Sequence, residues 1–178
     1  TWITTNRLEL RPLNLSDAPE TYRLNADENV MRYVPDLPFF DLEAAQDFIV
    51  NYLPVYETGF GRLAIIRKAD NAFIGWCGLK YHPAEDVIDL GYRLHREHWW
   101  NGYATEAGIA CLNHGFEHQN LNRIIGHAAK ENSGSRRVLE KVGMTYVGPF
   151  KEDDWQGVAY EITRHAFYQQ KSDAKPTR

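Results

Sequence analysis

The chain is poor in the features that staple a protein together or anchor it to something else. Its 178 residues hold only two cysteines, Cys77 and Cys111. Both sit in apolar runs, which excludes a disulfide framework and reads as two buried free thiols of a reducing compartment, with a bond between them as the minor alternative. No stretch approaches the ~20 apolar residues of a membrane-spanning helix. The N-terminus also lacks the basic-then-apolar order of a secretory signal, so the expectation is a cytoplasmic protein with no membrane partner. A dominant charge is missing too: 20 basic residues face 24 acidic ones, for a net charge of −4. No Lys/Arg block exceeds a pair, which argues against direct nucleic-acid binding through the phosphate backbone. The seven histidines show no ligand spacing with Cys, Asp or Glu, and no metal is expected. There is no internal repeat and no low-complexity linker.

What is present fits one core. A hydrophobic content of 43% over this length is enough to bury a substantial core, and the chain is too short for two ordinary domains. We expect that domain over residues 1–170, with a polar, Pro176-containing flexible C-terminal tail over 171–178. Alternation around Leu8, Leu10 and Pro12 predicts a first strand, and Ser16 with Glu20 starts a short helix. Asp41 caps a longer helix running to about Tyr56, bent or ended by Pro54. Leu63 to Ile66, Phe73 to Tyr81 and Val87 to Leu94 read as three successive strands. Ala104, Ala107, Gly108, Cys111, Leu112 and Phe116 share one helical face. Asn122 to Ala128 is a fifth strand, Ser133 to Lys141 a short helix, and Met144 to Phe150 with Val158 to Arg164 a closing hairpin. The order gives an α+β layered fold. Its long crossover from Leu94 through the central helix to Ile124 implies two parallel strands covered by that helix.

One segment is a candidate for chemistry, against the plainer reading of an ordinary helix start. Leu90-Gly91-Tyr92-Arg93-Leu94, followed by Trp99-Trp100-Asn101-Gly102-Tyr103-Ala104-Thr105-Glu106-Ala107, reads as a strand, a compact turn and a helix start. The first helical turn has N–H groups without intrahelical partners, and the helix dipole adds partial positive charge there. A pyrophosphate can be held at such a point without any lysine. Gly102 lets the backbone approach closely, and Ala104 and Ala107 leave that end of the helix uncovered. About 30 residues on, Asn132-Ser133-Gly134-Ser135-Arg136-Arg137-Val138-Leu139-Glu140-Lys141-Val142-Gly143-Met144 repeats the pattern of polar cap, short helix and glycine stop.

The two segments together resemble the acetyl-CoA binding motifs of the GNAT superfamily of N-acetyltransferases. Thr5-Asn6-Arg7-Leu8-Glu9-Leu10-Arg11-Pro12-Leu13, Ile74-Gly75-Trp76-Cys77-Gly78-Leu79 and Gly102 to Ala107 are similar, more narrowly, to the RimJ/RimL-like branch, which acetylates N-termini of ribosomal proteins. The likeness runs from Arg7 to about Glu161. It implies a GNAT-like layered fold: a central, mixed, mostly antiparallel twisted sheet of about six to seven strands flanked by helices and splayed between the fourth and fifth strands. It implies acetyl-CoA as cosubstrate, its pyrophosphate on the backbone N–H groups of Trp100, Asn101, Gly102, Tyr103, Ala104 and Thr105. The pantetheine arm would run between the strand ending near Leu94 and the strand around Ile125. Asn132 would cap its helix and also reach the pantetheine. Ser135 would lie near the cofactor sulfur, where a hydroxyl can stabilise or reprotonate the departing thiolate, or else merely bond the preceding backbone. Arg136 or Arg137 would contact the adenosine 3′-phosphate, or remain solvated surface charge.

The chain departs from the superfamily pattern at two places. Trp99 and Trp100 stand where Gln or Arg and often a glycine are usual; a left-handed backbone would strain Trp100 by about 1 to 2 kcal/mol. The expectation is therefore a right-handed Trp100 with its indole turned away from the phosphates and packed under the helix start. Leu139 stands where the superfamily's usual general acid, a Tyr, would be, so Ser135 or water must serve the sulfur. These departures motivate an alternative, a catalytically degenerate acyl-CoA binding or scaffold protein. The main expectation is transfer of acetyl to a primary amine, either a protein N-terminus or a small molecule, by direct attack on the thioester, in a monomer or homodimer.

The attacking amine must be neutral. At pH 7 that costs about 1 kcal/mol for an α-amine near pKa 8 and roughly 4 to 5 for a lysine near 10.4. Asp89 alternates onto one strand face with Gly91 and Arg93. It is the candidate to draw a proton from the acceptor or to orient it, against the plainer reading of a strand-edge carboxylate. His82 and His95 are weaker candidates. The acidic loop Glu152-Asp153-Asp154 with Trp155 is expected to border the acceptor entrance and favour a cation. Tyr33, Pro35, Phe39 and Phe40 are expected to supply the apolar opposite wall.

Overall fold

A computed structural model describes residues 1–174 of the chain. Eight strands form one sheet: β1 (Ile3–Thr4), β2 (Leu8–Arg11), β3 (Gly61–Arg67), β4 (Ala72–His82), β5 (Val87–Leu94), β6 (Arg123–Ala129), β7 (Thr145–Glu152) and β8 (Trp155–Thr163). Their spatial order is β1-β2-β3-β4-β5-β6-β8-β7. The count exceeds the expected six to seven because the two residues of β1 add a short edge to β2. Six helices complete the fold: α1 (Ala18–Ala26), α2 (Glu28–Met31), α3 (Leu42–Tyr52), α4 (Tyr103–Glu117), α5 (Ser133–Lys141) and α6 (Arg164–Asp173).

Every neighbouring pair is antiparallel except β5 with β6. That exception positions the site. β5 pairs with β4 along its whole length, from Val87 opposite His82 to Leu94 opposite Gly75. β6 pairs likewise with β8, as far as Ala129 opposite Gly157. Between β5 and β6 the register holds only Asp89 opposite Ile125. Past that point each strand follows its other partner, and the sheet opens into the expected splay.

Alternation assigns the two faces. Leu79, Leu90 and Leu94 on the strands meet Ala107, Cys111, Leu112 and Phe116 of α4 in the main core. Ala64, Ile66 and Trp76 on the other face pack with Leu24 of α1 and Ile49 of α3. The Asp41 side chain accepts from the Ala44 amide at 2.8 Å and starts α3, as the sequence predicts. That helix stops at Tyr52 rather than Tyr56 because Pro54 has no N–H to continue it; residues 53–58 form a 3₁₀ turn closed by left-handed Gly59.

The C-terminal helix reaches into the expected tail. Thr163 caps α6, Phe167 stacks on Phe116 with ring centroids 4.8 Å apart, and Lys171 pairs with Glu117. Apolar stacking and an ion pair thus carry the helix through Lys171–Asp173. The rest of the expected tail, 175–178, lies outside the described residues. No described helix is long and apolar enough to cross a membrane.

Candidate active site

One side of the splay is built for an anion. Gly102 opens α4 in the left-handed conformation, φ 78° and ψ 7°, and no side chain caps the helix. Its first intrahelical bond is Glu106 N–H to Gly102 C=O at 3.0 Å, so the amides of Tyr103, Ala104 and Thr105 point outward as free donors. Such a start fits a pyrophosphate. Glu106 fixes it in place by accepting from Thr5 Oγ1 at 2.6 Å, Arg7 N at 3.1 Å and Arg7 Nε at 2.8 Å. Arg7 also donates from Nη1 to the Asn101 carbonyl at 3.0 Å and lies over the Tyr103 ring. Its guanidinium therefore stands beside the free amides of the α4 start, a placement the sequence reading missed. The available signal was an acidic first-turn residue, Glu106, that needed a partner from elsewhere. Asn101 holds the turn by donating to the carbonyls of His98 and Trp99.

Two cofactor-side expectations are overturned here. Trp100 is left-handed, at φ 65°, and its side chain is 84% exposed rather than packed. Trp99 fills the space beneath the helix start instead, its indole N–H donating to the Leu94 carbonyl at 3.0 Å. That bond takes up the carbonyl of Leu94, a residue expected at the cofactor; the buried Leu94 side chain belongs to the core.

The α5 start holds more polar groups than the sequence suggested. The Asn132 side chain accepts from the Ser135 amide at 3.1 Å, capping α5 as expected. The Tyr92 hydroxyl on β5 donates to the Ser135 carbonyl at 2.7 Å and lies 3.0 Å from Ser135 Oγ. Burial raises the Tyr92 pKa against the opposing Ser135 bond, so this phenol stays protonated at neutral pH. Leu139, in the slot where a Tyr is usual, is 1% exposed and part of the core. A phenol is thus delivered to Ser135 from β5 and not from α5. Arg136 braces α5 through the Tyr160 hydroxyl and the Lys130 carbonyl. Arg137 is exposed, with no hydrogen bond or ion pair among the described residues, and remains available to a phosphate.

The other face is built from charge. Arg62 reaches from β3 across β4, donating to the Gly78 carbonyl at 2.8 Å, the Asp89 carbonyl at 3.2 Å and the Asp89 carboxylate at 3.0 and 3.3 Å. Gly91 makes room for it: a Cβ there would lie 2.4 Å from the guanidinium carbon. His82 Nε2 is 3.2 Å from the same carboxylate. Burial alone would raise the Asp89 pKa, but the Arg62 charge and the His82 and Arg62 bonds outweigh it and hold the group at about 2. A carboxylate that acidic keeps its charge and has little tendency to take a proton. That state fits the expected proton acceptor poorly and leaves the orienting alternative open. Arg93 lies beyond it, donating to Asn25 and to Asp36 above the Trp76 ring. His95 is buried with Nε2 2.9 Å from Glu20, a structural position under α1.

The expected acceptor residues separate into two groups. Tyr33 and Trp155 come together, the indole N–H donating to the Tyr33 carbonyl at 2.9 Å. Both line a cleft of about 230 Å³ with Arg32, Ala129, Lys130 and Glu131. Phe39 instead packs against Phe48 of α3, the ring planes tilted by 46°, Phe40 is exposed, and Asp154 sits at the exposed β7–β8 turn. None of these three lines the cleft, whose charged rim is mixed and not acidic.

Residues 7–145 match the family model described as an acetyltransferase (GNAT) domain. The chain is 34% identical over 151 residues to the uncharacterized N-acetyltransferase p20 of Bacillus licheniformis, covering 83% of this chain and 84% of that one. An acetyltransferase (GNAT family) from Bacillus anthracis superposes with a TM-score of 0.81 at 28% identity, over 92% of this chain and 98% of that one. RimL, a ribosomal alpha-N-protein acetyltransferase in complex with coenzyme A, shares the fold with a TM-score of 0.76 at 16% identity, over 89% and 95% of the two chains.

Proposed function

This chain belongs to the GNAT acetyltransferase family and is an acetyl-CoA-dependent N-acetyltransferase; we propose that it works in the manner of the RimJ/RimL-like branch, on α-amines. The acceptor in this reading is a primary amine of pKa near 8, at a protein N-terminus or on an amino-acid-like small molecule, met in the cytoplasm. The observation that carries it is the state of Asp89: with its carboxylate held at about 2 by Arg62 and His82, the acceptor face has no strong base. Deprotonating an amine near pKa 8 costs about 1 kcal/mol at pH 7, whereas a lysine-type amine costs roughly 4 to 5. The RimL likeness adds support for the fold alone.

Acetyl-CoA, when bound, supplies an activated acetyl thioester. The α4 amides of Tyr103 to Thr105, with Arg7 beside them, hold its pyrophosphate, and Arg137 is placed for its other phosphate. Asn132 keeps the α5 start in register, and Ser135 Oγ, backed by the protonated Tyr92 hydroxyl, offers a proton where the sulfur leaves. Asp89 attracts the acceptor ammonium to the opposite face of the opening, and Tyr33 with Trp155 walls the cleft beyond. We take residues 1–170 as one folding unit, which predicts a single melting transition. The test is free-thiol release over a panel of N-terminal peptides, amino acids, polyamines and Nα-blocked lysines. The expected result is higher kcat/KM for α-amines than for ε-amines of similar size; a preference for blocked lysines or polyamines would overturn the assignment.

A further inference from the structure

The acceptor face holds an imidazole with no role in the scheme above. We propose that His127 is the catalytic residue that takes the proton from the acceptor ammonium, Asp89 and Arg62 forming the charged frame that presents it. The inference rests on the amine-acceptor reading and adds the base that reading lacks.

His127 is placed by the register of the splay. The last residue pair between β5 and β6 is Asp89 opposite Ile125. Two residues on, alternation returns the chain to the same face, so His127 projects beside the opening on the side that carries Asp89. Across from it on β5 stands Gly91, over which the Arg62 guanidinium lies. The His127 ring lies flat on Phe150, centroids 3.8 Å apart and planes 18° from parallel. Both residues are fixed by β8, His127 opposite Ala159 and Phe150 opposite Gly157. The ring plane is therefore held, while neither ring nitrogen has a hydrogen-bond partner among the described residues. His82, the other imidazole on this face, already has Nε2 engaged with Asp89.

The groups facing His127 are Asp89 from β5, His82 from β4 and Glu152 from β7. Burial lowers its pKa, Asp89 opposes that, His82 adds to it and Glu152 opposes it; the net direction is downward. The imidazole is neutral near pH 7 and able to accept. One N–H bond of the ammonium breaks and an N–H bond forms on His127, leaving a neutral amine and an imidazolium that returns its proton to solvent. The amine nitrogen then bonds to the thioester carbonyl carbon, the carbon–sulfur bond breaks, and the second nitrogen proton ends on the thiol by way of Ser135 or water.

The experiment compares wild type, His127→Gln, His82→Gln and Asp89→Asn. Their kcat/KM is measured from pH 5 to 9 with an α-amine peptide, alongside CoA affinity, melting temperature and histidine ring NMR of the unliganded protein. We expect His127→Gln to lower kcat/KM at pH 7 at least tenfold and to abolish the acidic limb. CoA affinity should stay within about threefold, and added imidazole should restore part of the rate. His82→Gln should keep the limb. In the NMR titration the His127 ring should lose its proton below pH 6.5, the ordinary histidine value, and at lower pH still in Asp89→Asn, where a stabilising negative charge is gone. The proposal is overturned if His127→Gln keeps both the limb and a rate within threefold of wild type, if His82→Gln removes the limb, or if the His127 ring is charged at pH 7. The NMR result decides even if His127→Gln fails to fold. A wild type that prefers ε-amines would sink the α-amine reading and leave the His127 titration standing.

Discussion

The two sides of the splay are assembled in opposite ways. The cofactor side comes mainly from two short contiguous segments, Gly102 to Glu106 and Asn132 to Ser135, braced by Arg7 and by Tyr92 of β5, and works mainly through backbone amides and helix starts. The acceptor side takes one residue from each of several distant elements: Arg62 from β3, His82 from β4, Asp89 from β5, His127 from β6, Phe150 from β7 and Trp155 from β8. A backbone cradle needs only the right local turn, so it tolerates varied side chains around it. A charged face needs every partner at once, because each buried charge depends on another for its solvation. The cofactor side should therefore lose function gently under substitution, and the acceptor side should lose stability first.

The sharpest test of that contrast is Arg62→Met. It leaves Asp89 buried without its cation, and breaking such a pair costs about 3 to 5 kcal/mol. For a domain of this size that corresponds to a fall in melting temperature of roughly 6 to 20 °C. Adding Asp89→Asn should return part of the loss, since the uncompensated charge is then gone. A single Arg62→Met variant melting within about 2 °C of wild type would show that the charged face is not the rigid half.

The pH dependence of stability gives the next largest effect. Asp89 titrates at about 2 in the folded protein against about 3.9 in an unfolded chain. Below pH 4 the unfolded state binds the extra proton, so stability rises with pH through this window. The contribution is on the order of 2 kcal/mol, fully present above about pH 4 and lost as pH falls towards 2. Urea unfolding at pH 5 and pH 3 should show that slope in wild type and a reduced one in Asp89→Asn. Parallel slopes would mean that another carboxylate carries the acid sensitivity.

The same contrast explains what could be read from the sequence. The strand and helix order, the crossover and the splay were legible because alternation and helical periodicity are local signals, and so were the Asn132 cap and the Gly102 start. The Arg62–Asp89 pair was not, because nothing in a linear chain announces that an arginine on β3 will cross β4 to reach β5; only Gly78 and Gly91 hint at the lane it occupies. His127 was passed over for the same reason, its stacking partner lying 23 residues away on another hairpin. Asp89 was found, but its role was misjudged since its pKa is set by those unseen partners. Trp100 failed differently: a penalty for left-handed backbone was weighed correctly, but the turn geometry demanded it regardless.

On the cofactor side the expected losses are about tenfold. Gly102→Val must adopt φ near 78°, where a β-branched residue is strained. CoA affinity by calorimetry should weaken at least tenfold, about 1.4 kcal/mol, and unchanged affinity in a folded variant would move the phosphate site elsewhere. Ser135→Ala should lower kcat about tenfold with CoA affinity within threefold, and Tyr92→Phe should do so by less, since Ser135 retains its own hydroxyl. A larger loss in Tyr92→Phe than in Ser135→Ala would make the phenol, not the serine, the proton source.

The smallest effect concerns Trp100, and it has the opposite sign. A left-handed backbone costs an ordinary L-residue about 1 to 2 kcal/mol, while the extra freedom of glycine in the unfolded chain costs about 0.5 to 1 kcal/mol. Because the indole is 84% exposed, removing it gives up little packing. Trp100→Gly should therefore stabilise the protein by roughly 0.5 to 1 kcal/mol, a rise in melting temperature of about 1 to 4 °C. The turn before α4 should keep its shape, so CoA affinity should change by less than about threefold. A lower melting temperature would mean that the indole contributes packing beyond its exposed position. A CoA affinity that collapses while stability rises would show the cofactor side relying on a side chain after all, and the contrast between the two sides would have to be redrawn.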